Sequence, residues 1–420
     1  MQPFAELGAV VESRWRDKNY HEDLFPDIAA QALSEMKLPE RLTAWDIIRW
    51  LYSTPALPEQ MDVEAKFGNP PITLFSGPRF YIDTYFWLDG TTSIHQHAFS
   101  GAFQVLLGSS VHARYEFEKQ TEINPHLLTG KISLREVALL RKGDICEIVA
   151  GPTFIHSLFH LERPSATITI RSYKTPNAPV QYSYHKPFLA RNPFFTDPLL
   201  KRRVQTVELL LRMKHPEADT FIGELIDSSD FQTAYLVLSG AFEFLCHREL
   251  EEMLDVSRSR DRFQALLDRA LAKHGELAGM LLPSFEEEWR KNEIVRRRAE
   301  VKGEDHRFFL ALLLNVPDLP NTLRLVQERF PEKDPVELIV EWVKRLAATK
   351  SFGSREANVL GIGEFDDNHL FVFKGLLQCL TIEEIEAQAT ASGISGNIPE
   401  LADHIKGISL FKSLFASDGV

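Results

Sequence analysis

His95 and His97 flank Gln96 in the segment Thr92-Ser-Ile-His-Gln-His97, and a further histidine, His156, follows 59 residues later. Alternate residues of a strand point to the same face, so an i, i+2 pair of imidazoles can project together. An imidazole from a second strand would complete a facial set around a divalent transition metal, leaving coordination positions open for other ligands. The same pair on an ordinary strand would be solvated or hydrogen-bonded side chains, so the surrounding elements decide.

Those elements read as strands. Phe80-Tyr-Ile-Asp-Thr-Tyr-Phe-Trp-Leu88 is rich in aromatic and β-branched residues and ends at an Asp89-Gly90 turn. Ala102-Phe-Gln-Val-Leu-Leu107 follows the pair, and Val111-His-Ala-Arg-Tyr-Glu-Phe117 alternates. Gly143-Asp-Ile-Cys-Glu-Ile-Val-Ala150 and a Gly151-Pro152 turn lead to His156, and Ala166-Thr-Ile-Thr-Ile-Arg-Ser-Tyr173 comes after it. Short strands at roughly 10-residue spacing, with turn signals between them, predict a small β-barrel or jelly roll.

With these residues in place, Gly90-Thr-Thr-Ser-Ile-His95-Gln-His97-Ala-Phe-Ser-Gly-Ala-Phe103 and the following Leu106-Leu-Gly108 resemble the first motif of the cupins. Within that superfamily they are most similar to the cysteine dioxygenase type of thiol dioxygenase. The second motif is similar too: His156 is followed at the family's spacing by Thr169, Arg171 and Tyr173, the positions of its Ser-His-Tyr series. The resemblance spans residues 75 to 176. It implies Fe(II), or another divalent transition metal, held by His95, His97 and His156, with a thiolate and dioxygen in the open positions. It also implies Tyr173 as a catalytic phenol; Arg79, the nearest arginine to the family's anchoring position, or Arg171 is the candidate partner of an anionic substrate group. Three neutral imidazoles leave the metal's charge uncompensated, which favours an anionic ligand.

The chain departs from the pattern at named positions. The commoner cupin motif adds a Glu four or five residues after the second His, where this chain has Gly101 and Ala102. Ala102 also stands where the animal enzymes carry a Cys cross-linked to the Tyr, and Arg171 replaces a His. Gly151-Pro-Thr-Phe-Ile-His156 matches Pro-x-Gly-x-x-His loosely, and the stretch expected to carry an anchoring Arg reads Lys66-Phe-Gly-Asn-Pro-Pro71. The expectation is a non-heme iron dioxygenase acting on a small thiol or related small molecule. A non-redox metal cupin (lyase or isomerase) and a metal-holding sensor or scaffold remain as alternatives. His112 reads as an outward or lateral strand residue, His160 as part of a turn-like segment, and Cys146 as a buried inert thiol.

Composition bounds the rest. A hydrophobic fraction of 44% and a charged fraction of 25% over 420 residues suit a globular protein of two or three domains. A net charge of −12 argues against a nucleic-acid partner. The basic run Arg290-Lys291 to Arg296-Arg-Arg298 alternates with glutamates and reads as a solvated helix face. There is no 18-residue apolar run, so no membrane span is expected, and the N-terminus carries no export signal. Cys146, Cys246 and Cys379 are odd in number and far apart, which fits a reducing cytoplasm.

The fold class predicted is α+β: a cupin-type β-barrel with N-terminal helices and a large all-helical C-terminal domain. Residues 1–60 form a helical segment packed on the barrel, 61–178 the barrel with its metal site, and 179–196 a linker punctuated by Pro179, Pro187 and Pro193 after Pro176. Residues 197–420 form the helical domain, opened by the cap Thr196-Asp197-Pro198 and continued by apolar periodic segments such as Phe231–Leu245 and Asp305–Leu314. A substrate-shaping lid, a homodimer surface and a platform for a protein partner are the roles open to it.

Overall fold

The computed structural model describes residues 1–61, 63–64, 67–174, 177–247, 256–350, 358–363, 365–394 and 396–415. The chain opens with helices α1 (Gln2–Asp17), α2 (Phe25–Met36), α3 (Leu38–Arg41) and α4 (Ala44–Ser53). Thr43 and Asp46 form a reciprocal capping box at the start of α4, satisfying backbone donors that a helix end leaves free. Strands follow: β1 (Pro71–Ser76), β2 (Phe80–Trp87), β3 (Ile94–His95), β4 (Gly101–Leu107), β5 (Ser110–Asn124) and β6 (Leu127–Leu140). The set continues with β7 (Ile145–Ile148), β8 (Ile155–His160), β9 (Ser165–Ser172), β10 (Ser183–His185) and β11 (Leu189–Arg191). One sheet runs in the order β1-β2-β9-β4-β7, and β10-β11-β6-β5-β8-β3 close as a barrel. The class is α+β, as the sequence predicts.

Strand alternation sorts the side chains of the first sheet. Ile72, Leu74, Phe80, Ile82, Ala102, Leu106, Ala166, Ile168 and Ile170 share one apolar cluster with Phe4, Leu7, Val11, Phe25 and Leu33 of the N-terminal helices. The helices therefore cover the outer face of this sheet. The opposite rows, Tyr81, Asp83 and Tyr85 of β2 against Arg171, Thr169 and Thr167 of β9, face the interior. In β8 and β5 the pairs His156 with Arg114 and His160 with Ser110 share the inward face. Ser157 on the outward row hydrogen-bonds Asn315 at 3.1 Å.

By its contacts the chain divides into two compact units, each assembled from segments distant in sequence. One unit takes Met1–Glu116, Leu134–Gln181 and Glu293–Val420; the other takes Phe117–Ser133 and Tyr182–Asn292. Residues 179–196 are not simply a linker. They carry β10 and β11, which pair with each other, while β11 also pairs with β6. Pro187 sits in the turn between the two strands, where it interrupts no ladder bond. Pro176 lies outside the described residues.

The helical region is likewise shared between the units. Helices α5 (Pro198–Arg212), α6 (Ala218–Ser228), α7 (Phe231–His247), α8 (Val256–His274), α9 (Glu276–Gly279) and most of α10 (Leu281–Glu300) belong to the second unit. Asp197 caps α5 by accepting from the Leu200 amide at 2.9 Å, as predicted. The second unit's core joins Leu127 and Leu189 to Val207, Ile222, Leu238, Phe263 and Phe285. Helices α11 (Glu304–Asn315), α12 (Leu319–Arg329), α13 (Pro335–Ala348), α14 (Asp367–Leu377), α15 (Ile382–Ala391), α16 (Ile398–Gly407) and α17 (Lys412–Phe415) belong to the first. Among the described residues no helix is long and apolar enough to cross a membrane.

The basic run on α10 is not a solvated face at Arg290, Arg297 and Arg298, all of which are buried. Arg298 is 1% exposed. Its guanidinium donates to the Gly90 carbonyl and the Thr91 hydroxyl, each at 2.6 Å, and to the His160 carbonyl, and it lies 4.2 Å from the Phe159 ring centroid. Burial lowers its pKa to about 10, so it stays charged at neutral pH. Leaving such buried acceptors unmet costs about 1–3 kcal/mol each. Arg298→Met is therefore expected to lower the unfolding free energy by about 2–4 kcal/mol in urea titrations; a midpoint equal to wild type would show that these bonds contribute nothing net.

Candidate metal centre

His95 and His156 reach the centre by strand pairing, since β3 and β8 place them directly opposite each other. His97 follows β3 by two residues, and its carbonyl accepts from the Gly151 amide at 2.8 Å, which ties the pair to the turn before His156. The ring centroids of His95, His97 and His156 are 4.6–5.0 Å apart, and their candidate ligand nitrogens all lie within 4.8 Å of one another. All three are buried. The structure thus brings together the HxH pair and His156.

The hydrogen bonds say which nitrogen is available. His95 Nδ1 lies 2.8 Å from the Ser93 carbonyl. A carbonyl can only accept, so His95 carries its proton on Nδ1 and keeps a lone pair on Nε2. His97 Nε2 and His156 Nε2 stand 2.9 Å apart. Two bare lone pairs at that distance repel, so the position calls for a proton or a cation between them. His156 Nδ1 is engaged by His112 Nε2 at 3.0 Å. His97 Nδ1 is buried without a hydrogen-bond partner.

Burial lowers the pKa of each of the three. For His95 the Ser93 carbonyl works against the shift; for His97 the neighbouring His95 and Arg171 add to it, and for His156 so do His95, His97, His112 and Arg114. Neutral imidazoles are the form that binds a metal. No carboxylate joins the group among the described residues. At Gly101 the reason is steric: a Cβ there would lie 1.9 Å from the Ile170 oxygen. Ala102 belongs to the outer apolar cluster. The donor set is three nitrogens, which fits a divalent transition metal with positions left open.

Arg171 lies on the inward row. Its guanidinium is 3.8 Å from the Phe99 centroid and 5.2 Å from that of Tyr81, and Nη1 donates to the Tyr85 hydroxyl at 3.2 Å. Its Nε is buried with no partner. Tyr85 donates in turn to Asp83 at 2.8 Å, and Thr73 donates to the same carboxylate at 2.8 Å. Burial pushes the Asp83 carboxyl up, with Thr73, Tyr85 and Arg171 acting against the shift.

Tyr173 follows β9 by one residue; its ring is 5.1 Å from Tyr81 and its hydroxyl 3.2 Å from Ser76 Oγ. Arg79 goes elsewhere. It is exposed, and its guanidinium stacks 4.2 Å from the centroid of Tyr20, which packs on the N-terminal helical cluster.

Two histidines sit differently from the sequence expectation. His112 points inward and touches His156, and His160 is a fully buried residue of β8 rather than of a turn. The alternation Val111, Ala113, Tyr115 against His112 and Arg114 was legible, but it assigns the polar row to solvent, whereas here that row lines the barrel. Cys146 is half-buried, and burial pushes its thiol up to about 12.

No family model matches the chain, and no curated protein does. Solved structures align over part of it. Thermus thermophilus TT1209 aligns at 20% identity over 27% of this chain and 96% of its own, with a TM-score of 0.19. Hydroquinone 1,2-dioxygenase from Sphingomonas sp. TTNP3 aligns at 13% identity over 26% of this chain and 68% of its own, with a TM-score of 0.20. A Klebsiella pneumoniae protein with a double-stranded β-helix domain aligns at 14% identity over 32% of this chain and 97% of its own, with a TM-score of 0.18. Similarities this low carry no weight beside the strands and histidines themselves.

His160 gives a pH test independent of metal ligation. It stacks on Trp87 with centroids 4.6 Å apart, its Nδ1 meets Ser110 at 3.0 Å, and burial followed by the nearby Arg298 lowers its pKa to about 3. Unfolded, the residue titrates near ~6.5, so between those two values the unfolded chain binds a proton that the native state refuses. Its contribution is present above the unfolded value and lost as pH falls, by up to ~1.4 kcal/mol per pH unit. Urea midpoints measured with chelator between about pH 7 and pH 5 should fall less steeply for His160→Gln than for wild type; parallel slopes would contradict the assignment.

Proposed function

We propose that the chain is a metal-dependent dioxygenase of the three-histidine kind, acting on a small thiol or a related small anionic molecule. The observation that carries this reading is the convergence of His95, His97 and His156, with the His95 tautomer fixed by Ser93 and no carboxylate in the group. Those residues would hold Fe(II), and the metal when bound would supply the redox chemistry with dioxygen that side chains lack. Neutral ligands leave its charge unmet, so an anionic substrate group is favoured beside it.

The remaining residues bind and orient. Arg171, whose Nε has no partner and which makes no ion pair among the described residues, would meet a second anionic group of the substrate. Tyr85 and Asp83 hold that guanidinium from the far side. Phe99 and Phe154 pack against His97 and exclude water from it. Tyr173 would donate its hydroxyl hydrogen to the substrate, with Ser76 Oγ at 3.2 Å as its present partner. Arg79, stacked on Tyr20, would take no part.

The test is metal content of protein purified without chelator, followed by oxygen uptake of the Fe(II)-loaded protein with small thiols. Near-stoichiometric iron that is lost in His95→Ala, together with thiol-dependent oxygen consumption, is the expected result. Arg171→Met should raise KM for an anionic thiol about tenfold or more while leaving metal content unchanged. Failure to bind any transition metal after anaerobic Fe(II) addition would overturn the reading. Tight metal binding without oxygen uptake would replace it with a non-redox or scaffold role.

A further inference from the structure

His112 is not among the three converging histidines, yet the strand register aims it at one of them. On β5 it sits two residues from Arg114, the register partner of His156, and on the same inward face. Its Nε2 reaches His156 Nδ1 at 3.0 Å, and the two rings meet edge to face with centroids 5.1 Å apart. The residue is 5% exposed. Its other nitrogen, Nδ1, faces Cys146 Sγ at 3.9 Å. Beyond that pair lies a cavity of about 660 Å³ bordered by His112, Cys146, Arg114, Glu136, Phe154 and Gln31.

The direction of this chain of bonds decides whether His156 can bind a metal. A neutral imidazole carries one ring proton. If His112 Nε2 donates to His156 Nδ1, the proton of His156 must sit on Nε2, and the lone pair needed at the centre is gone. If His156 Nδ1 donates to His112 Nε2, then His156 Nε2 is bare and His112 carries its own proton on Nδ1, directed at the sulfur of Cys146. Sulfur is a weak acceptor, but it is the partner the geometry provides. For His95 the same orientation is enforced by a backbone carbonyl, which cannot reverse.

We propose that His112 is a positioning residue: by accepting a hydrogen bond from His156 Nδ1–H it fixes the tautomer and ring orientation that leave His156 Nε2 free for the metal, with Cys146 accepting from His112 Nδ1–H at the cavity wall. This rests on the three-histidine reading above. Partners of this kind typically change metal affinity by about 10- to 100-fold when removed.

Co(II) titration of the full-length protein, followed by visible absorption, separates the possibilities without any turnover. His112→Phe keeps the ring and removes the acceptor; it should weaken Co(II) binding by about 10- to 100-fold. His112→Gln, whose Oε1 can accept from His156 Nδ1, should restore affinity close to wild type. Thermal melting of the metal-free variants accompanies each titration, so a loss of affinity through misfolding is read directly. Equal affinity of wild type and His112→Phe would overturn the inference while leaving the metal site standing, and so would equal losses in the Phe and Gln variants, which would mean that shape alone matters. A wild-type protein that binds no Co(II) would overturn the metal reading itself, and the inference with it.

Discussion

A strand offers two faces, and on β9 and the β5–β8 pair the more polar one is turned inward, beside an interior apolar cluster that includes Phe103, Val105, Leu140 and Leu158. Along β9, Ala166, Ile168 and Ile170 enter the apolar cluster with the N-terminal helices, while Thr167, Thr169 and Arg171 face the interior. The β5–β8 ladder repeats the arrangement with Ser110, His112, Arg114, His156 and His160 on its inward side. Because the side-chain period is two, a slip of one residue would place Arg171 among isoleucines and send the histidines outward. The apolar rows thus fix the register, and the register fixes the site. Association of Phe4, Leu7, Phe25 and Leu33 with the outer face is what makes a polar interior affordable.

A polar interior brings its own constraint, because buried polar groups must be hydrogen-bonded or bear a large desolvation penalty. Most are met in short chains: Thr73 and Tyr85 on Asp83, Arg171 on Tyr85, Trp87 on Thr167, and Ser110 on His160. Two of the exceptions lie at the candidate centre. His97 Nδ1 and Arg171 Nε are both buried without partners, one on a converging imidazole and the other on the nearby guanidinium. On the proposed reading, unmet donors of this kind would disfavour an apolar ligand and favour an anionic one.

Much of the centre was legible in the sequence because its signals are local. The HxH pair, the turn at Asp89-Gly90, the β-branched runs of β2 and β9 and the cap at Asp197 each follow from a few neighbouring residues. What escaped depends on contacts distant in sequence. His112 looked outward because alternation separates polar from apolar without saying which side is water. Arg298 looked solvated because a basic helix run gives no hint of the carbonyls of Gly90 and His160, over a hundred positions away. Residues 183–191 looked like a linker because three-residue strands carry almost no periodic signal and gain their meaning only from pairing with β6. Arg79 and Arg171 read alike in the sequence because nothing local shows that one stacks on Tyr20 and the other on Phe99.

The C-terminal helices of the first unit also bear on the histidines. The turn before β3 is held by arginines: Arg298 binds Gly90 and Thr91, and Arg307 lies 3.5 Å from Asp89. The turn on the far side of β8 is tied by Glu162, which accepts from the Ser109 hydroxyl at 2.7 Å and sits 4.0 Å from Arg329. β3 is only two residues long, and its register is extended upstream by the Thr91–Phe159 bridge and the Thr92 amide on the Leu158 carbonyl at 2.8 Å. Its pairing of His95 with His156 needs the chain on either side to be fixed, and upstream the Gly90 and Thr91 bonds of Arg298 add to those of the β8 backbone. The downstream side is fixed by the Gly151 amide on His97. Helices after residue 293 therefore act on the geometry of the centre without contributing a ligand to it.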